Sequence, residues 1–394
     1  MPGSVIVAGA RTPIAKMQGA LASFSAPDLG GHAIAAALAR AGVAPDQVDQ
    51  VIMGEVLLAG VGQLPARQAA AKGGVPMHVP ATIINKVCLS GLNAIILADL
   101  LIAAGDADIV VAGGMESMTN APYLLPGARA GYRLGDSSIV DSMMFDGLMC
   151  AFDQMSMGQA TDNHSRAAGI GREAQDAFSA QSHERAANAI KEGRFAAEIA
   201  PVSVPQRKGD PLLFEHDEGV RPGTTTESLG AMRPAFNKDG TITAGSASQI
   251  SDGASAVVVM SKAAAERNGV RPLGEVISYG MVAGPDTSLL LQPANAISKA
   301  LAKVGMSIGD LDLFEMNEAF AAVALASMST LGVGDGVVNV NGGAIALGHP
   351  IGASGNRLVL TLLHELARRG GGTGAAALCG GGGQGDAMII RTLE

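Results

Sequence analysis

Tryptophan is absent from this chain and tyrosine occurs only three times, so the core must be built from Ala, Val, Ile, Leu and Met. Cysteine is as scarce, at positions 88, 150 and 379, an odd and sparse set that excludes a secreted disulfide framework. There is no basic surplus either. Acidic residues exceed basic ones by 36 to 27, a net charge of −9, which argues against nonspecific nucleic-acid binding while leaving room for a small phosphorylated ligand. No uninterrupted apolar 18-mer occurs, and the start, MPGSVIVAGARTP, opens on a strand-like run rather than a basic leader. The expectation is therefore no signal peptide, no membrane anchor and a cytoplasmic location. The histidines at 32, 78, 164, 183, 216, 349 and 364 lack zinc-type spacing, so no metal is expected, and neither a dinucleotide fingerprint nor a Walker loop is found.

Glycine, by contrast, is plentiful at 53 residues, with no three-residue period, which points to tight loops and close backbone approaches. Hydrophobic residues at 48% and charged residues at 16% describe a packed chain, long enough at 394 residues for two or three domain-sized units.

Buried strands alternate with helices, the pattern of an α/β protein with mixed or mostly parallel sheets. Strands are expected at SVIVAG, VDQVIMGEV, residues 81–85 and DADIVVAGGMESM. Helices are expected at 28–41, ending at Gly42, at LPARQAAAKGG and at GLNAIILADLLIAAG, the last apolar nearly all round and so buried between layers. The character changes from about 120 to 245, where aromatics, histidines and proline-rich loops collect around a helix near 172–192. The final third then repeats the first in outline. VISYGMVAG, QPANAISKALAKVG and DLDLFEMNEAF come first, followed by a glycine-rich loop leading into SGNRLVLTLLHELARRG and by GTGAAALCGGGG. Two duplicated halves packed face to face are expected, the first from 1–120 plus 246–270, the second from 271–394, with 121–245 as an inserted loop domain. A site between them would draw groups from both.

Cys88, in NKVCLSG, sits where a strand turns into a helix, whose N-terminus favours a thiolate; the alternative is a buried structural thiol. His349, in ALGHPIGASG, is presented from a rigid loop by Pro350 and could accept a thiol proton, or it could serve only that loop's hydrogen bonds. Cys379 precedes GGGGQGD, whose free backbone N–H groups suit an oxyanion, or it lies beside a simple glycine hairpin. Asn317 and Glu318 are polar residues in an apolar segment, either lining a site or capping a helix. Cys150 has no base or glycine nest near it and is read as structural.

The chain resembles the thiolase family over nearly its whole length. VIVAGARTPI, NKVCLSG, VAGGMESMT, GTITAGSASQISDGA, NEAFAA, NVNGGAIALGHPIGASG and ALCGGGGQGDA stand in family order. The resemblance implies a five-layered αβαβα fold from two related mixed-sheet halves and a dimer or tetramer, with residues 129–141 resembling a tetramerisation loop. It implies Cys88 as acyl-accepting nucleophile, His349 as its base and Cys379 as acid/base at the substrate α-carbon. Asn317 would hold a water beside His349 for the enolate, while the N–H groups of Cys88 and Gly381 would serve the tetrahedral intermediate. Arg221, Ser228 and Ser248 would meet coenzyme A, and Met157 and Phe320 the short acyl pocket. The implied reaction joins two acetyl-CoA into acetoacetyl-CoA and CoA, with the thioester as substrate and no cofactor. Ser156 departs from the family's usual histidine, which leaves acyl chain length open. A degradative 3-ketoacyl-CoA thiolase and a noncatalytic acyl-CoA-binding protein are the alternatives.

Overall fold

The structure, a computed structural model, describes residues 4–393. Residues 1–3 and 394 of the two expected halves lie outside it. In chain order the first half supplies β1 (Val5–Arg11), α1 (Ala26–Ala41), β2 (Gln50–Gly54), α2 (Pro65–Lys72), β3 (Ala81–Ile84), α3 (Ser90–Ala104) and β4 (Ile109–Ser117). Next come α4 (Met157–Ala167), α5 (Arg172–Lys191) and β5 (Ser251–Met260). The rest supplies β6 (Gly274–Ala283), α6 (Gln292–Val304), β7 (Leu313–Met316), α7 (Ala321–Leu331), α8 (Ile351–Arg368), β8 (Thr373–Gly380) and β9 (Gln384–Thr392).

Strand order shows the duplication. One sheet runs β3-β2-β4-β5-β1 and the other β7-β8-β9-β6. In each, the edge-to-centre pairing changes from parallel (β2 with β4, β7 with β8) to antiparallel (β4-β5-β1, β8-β9-β6). A parallel bridge from Phe314 to Val338 takes the place that β3 holds beside β2. The sheets also touch edge to edge, where Val5 and Ile6 pair with Glu275 and Gly274.

Side chains alternate along these strands with period two, and the alternation creates the layers. On β5, Ala256, Val258 and Met260 pack outward beneath α1, while Val257 and Val259 point inward. On β8, Ala376 and Leu378 point inward to the same central core, and Ala375 and Ala377 outward to α6 and α7. That central core is filled by α3 and α8, giving five layers in the order α, β, α, β, α. The stretch Val87–Ala104 has mean hydropathy 2.1, enough by length and composition for a membrane span. Here its apolarity is explained by a sheet on either side. Helix ends follow local chemistry: Ser25 and Asp28 form a capping box at α1, and Gly42 closes it at φ 64°.

Segment 121–245 contributes α4, α5 and short antiparallel ribbons. Buried Arg11 of β1 ties it down, with Nε 2.7 Å from Glu198 and its two terminal nitrogens 2.7 and 2.9 Å from Asp217. Burial opposes the guanidinium charge, but Asp217 and Glu198 outweigh it and hold Arg11 protonated.

In the middle layer, α3 and α8 meet backbone to backbone. A Cβ placed on Gly54 or Gly91 would lie 2.8 Å from the Gly352 carbonyl oxygen, and one on Gly114 would collide with it. One on Gly355 would reach 2.5 Å from Leu92 N. Gly91→Ala separates two effects. Helix propensity favours alanine by about 1 kcal/mol, whereas overpacking costs about 1–3 kcal/mol. The expected result is net destabilisation, read from the denaturant midpoint; a net gain would mean the helices can slide apart freely.

Candidate active site

Cys88 closes the tight turn that joins β3 to α3. Val87 precedes it at φ 51°, a left-handed conformation unusual for a β-branched residue. Local bonds hold the turn: Val87 N–H donates to Asn85 Oδ1 (3.2 Å), Lys86 N–H to Ser90 Oγ (2.8 Å), and Ser90 Oγ–H to the Val87 carbonyl (2.6 Å).

His349 enters from the corresponding place in the second half, just before α8. Its backbone N–H donates to the Gln249 carbonyl at 3.0 Å. Its Nε2 lies 3.3 Å from Cys88 Sγ and 3.3 Å from Asn317 Nδ2. Its Nδ1 lies 2.6 Å from Ser354 Oγ, which donates its own proton to the Pro350 carbonyl at 3.0 Å. With the hydroxyl proton committed, Ser354 accepts from Nδ1–H, and the network leaves Nε2 as an acceptor facing the thiol.

The electrostatics correct one expectation. A helix N-terminus favours a thiolate, yet burial pushes the Cys88 thiol up to about 12. Burial, with Arg357 nearby, pushes His349 down to about 3. The resting pair is thiol and neutral imidazole, because burial disfavours both charged forms.

Asn317 is fully buried; its backbone N–H donates to Ala377, and its Oδ1 has no partner among the described protein groups. It caps no helix, since α7 begins at Ala321 with Phe320 as N-cap, so the capping alternative falls away. Glu318 instead receives bonds from Ser182 Oγ, Asn339 Nδ2 and Ile345 N–H, which brace α5 against the turn leading to His349.

Cys379 is the penultimate residue of β8, buried in a cluster with Phe320 and Met157. The glycines after it press on the Cys88 turn. A Cβ at Gly380 would stand 2.6 Å from Leu89, and one at Gly381 would stand 3.2 Å from Met157 Sδ and 3.4 Å from Val87. Burial, with Cys88 close by, raises its thiol pKa as well.

Arg221 and Ser228 line the mouth of a groove of about 200 Å³ with His183, Leu229 and Met232. His183, held down to about 4 by burial and Arg221, accepts the Arg221 backbone N–H at 3.2 Å. Ser248 lies outside that lining, one residue before Gln249; its N–H donates to Ala319. Ser156 uses its hydroxyl to cap α4, accepting from Gln159 N–H at 3.1 Å.

Three residues escaped the sequence reading. Ser354 fixes the imidazole. Phe236 stands edge-on to Phe320 at 5.9 Å. Glu116 accepts from Val56, Leu57 and Gly352 N–H groups and so joins the two halves beside the dyad. Only Ser354 had a signal, five residues after His349 on an oncoming helix.

Comparison with known proteins agrees with this geometry. Residues 4–263 match the thiolase N-terminal domain model and residues 270–392 the C-terminal one. A probable acetyl-CoA acetyltransferase of Mycolicibacterium smegmatis is 58% identical, over 98% of this chain and all of the relative. Acetyl-CoA acetyltransferases of Cupriavidus necator and Chromobacterium violaceum are 53% and 52% identical, over 99% and 98% of this chain and 100% and 98% of their own lengths. The fold, the site and the full-length similarity agree: the chain belongs to the thiolase family.

Proposed function

We propose that this protein is an acetyl-CoA C-acetyltransferase. It joins two acetyl-CoA reversibly into acetoacetyl-CoA and CoA through an acyl-cysteine at Cys88. The observation that carries the reading is the 3.3 Å contact of Cys88 Sγ with His349 Nε2, a nitrogen that the Ser354 network leaves unprotonated.

Because both partners rest neutral, the Cys88 proton moves to His349 as sulfur attacks the thioester carbonyl, and then on to the departing CoA sulfur. Backbone N–H groups of Cys88 and Gly381 receive the oxyanion. In the second half-reaction the Cys379 thiol gives its proton to neutral His349 and, as thiolate, takes the α-proton of another acetyl-CoA. The carbanion attacks the acyl carbonyl, and Cys88 leaves as thiolate and takes the proton back from His349. A thioester α-proton is weakly acidic, so a base whose pKa is raised by burial is better matched to it than an ordinary thiolate. The unpartnered Asn317 Oδ1 supports a water held there to face the enolate oxygen. Arg221, Ser228 and Ser248 receive the CoA chain, and no further cofactor takes part.

Met157, Val87 and Phe320 crowd the space around Gly381 and Cys379, which favours a short acyl group. With its hydroxyl occupied at the α4 cap, Ser156 opens the only case for longer substrates. Steady-state thiolysis should therefore favour acetoacetyl-CoA over longer 3-ketoacyl-CoA thioesters, and Cys88→Ala should reduce it by a factor on the order of 10⁴ or more. A preference for long chains would move the protein to degradative thiolysis. Unchanged activity in the variant would remove Cys88 from the mechanism.

The pH dependence follows from the lowered His349 pKa. The neutral imidazole is the base, and it is lost only as pH falls through about 3. Single-turnover acetyl transfer to Cys88 should thus hold level from about pH 8 to about pH 5. An ordinary imidazole would lose about tenfold per pH unit below about 6.5.

Self-association belongs to the same reading. Leu125, Tyr132, Leu134 and Ile139 are exposed in and beside the 129–141 loop, Leu134 completely. Sedimentation should give a tetramer, and Leu134→Lys should yield a smaller species; a monomer in both would refute this assignment.

A further inference from the structure

The two cysteines come from different halves, so the carbon–carbon step depends on how those halves are registered at the site. Lys86, two residues before Cys88, reaches into the second half. Its Nζ lies 2.7 Å from Asp386 Oδ1 and 2.8 Å from Oδ2. Asp386 is fully buried and stands opposite Leu378 in the β8–β9 ladder, with Cys379 next along the strand, opposite Gly385. Asn93, on the first turn of α3, adds an amide 3.4 Å from Oδ2. A carboxylate so enclosed is not an incidental surface partner, since removing its cation would leave a buried unpaired charge.

The other bonds around this turn have a different reach. Asn85, Ser90 and the Val87 backbone hold the left-handed turn within the first half. The Cys88–His349 contact depends on the glycine packing at Gly352 and on Ser354. Among the described residues, only the Lys86 side chain carries an ionic link from the turn to the strand pair that bears Cys379.

We infer that the Lys86–Asp386 ion pair is a positioning staple that sets Cys88 against Cys379. The inference rests on the proposed roles of the two thiols. Acylation requires Cys88 and His349, whose contact is fixed elsewhere, and takes only the Gly381 N–H from the strand pair that bears Cys379, so it loses less than the second step when the staple opens. Condensation and its reverse also require Cys379 Sγ at the α-carbon of the second thioester while that carbon faces the acyl group. This step loses alignment when the staple opens.

The test compares Lys86→Gln, Asp386→Asn and the double variant in the two half-reactions. Acetyl transfer from acetyl-CoA to Cys88 is followed by intact-protein mass spectrometry, and acetoacetyl-CoA thiolysis by steady-state kcat. Each single variant should lose about 10²-fold in kcat, the usual cost of a displacement near 1 Å, and clearly less in the rate of acylation. The double variant, with neither charge and an amide on each side, should recover part of that loss. Equal losses in both half-reactions, no loss in either, or strictly additive losses would overturn the staple. If Asp386→Asn does not fold, Lys86→Gln decides alone, because its side chain is partly exposed. A wild-type protein that takes no acetyl group onto Cys88 would overturn the proposed function, and the staple with it.

Discussion

One backbone oxygen organises this molecule. The Gly352 carbonyl is approached by Gly54, Gly91 and Gly114, three positions on three separate elements of the first half, each at a distance that excludes a side chain. This contact lets α3 and α8 share the middle layer with their N-termini together. A thiol at the start of one and an imidazole before the other then meet at hydrogen-bond distance. Side chains there would push the layers apart and with them the dyad. The richness in glycine follows in part from this geometry, since a close helix crossing cannot be built from larger residues.

Burial then decides the charge state. In a water-excluded site an ion pair must recover the desolvation of both members, and burial is the largest influence on both Cys88 and His349. Thiol and imidazole therefore rest uncharged at hydrogen-bond distance, and in the proposed mechanism the proton moves only when a carbonyl is present to receive the sulfur. The same enclosure turns an isolated carboxylate such as Asp386 into a demand for a cation, which Lys86 meets.

Much of this could be read from the sequence. Helix α1 announces both its ends, through Ser25, Asp28 and Gly42. The period-two strands and the all-round apolarity of α3 indicate a layered core, and Cys88, His349 and Cys379 stand out by their glycine-rich settings. The rest depends on distances that no local pattern encodes. Gly91 reads as a weak helix position until α8 is seen against it. Ser354 looks like one small residue among several. Asn317 fits a cap by type, but helix begins only at Ala321, after an extended Phe320. The thiolate expectation failed because a helix terminus is a local feature, whereas desolvation is set by everything packed around it.

The duplicated architecture has a consequence for ancestry. Cys88 and His349 occupy matching places, each just before the middle-layer helix of its own half. Two identical, unfused halves related by a twofold axis would put the same residue on both sides of that contact, thiol against thiol or imidazole against imidazole. A thiol facing an imidazole at that contact requires two halves that differ there. The unlike pair is therefore a product of divergence between the halves, not of the duplication itself.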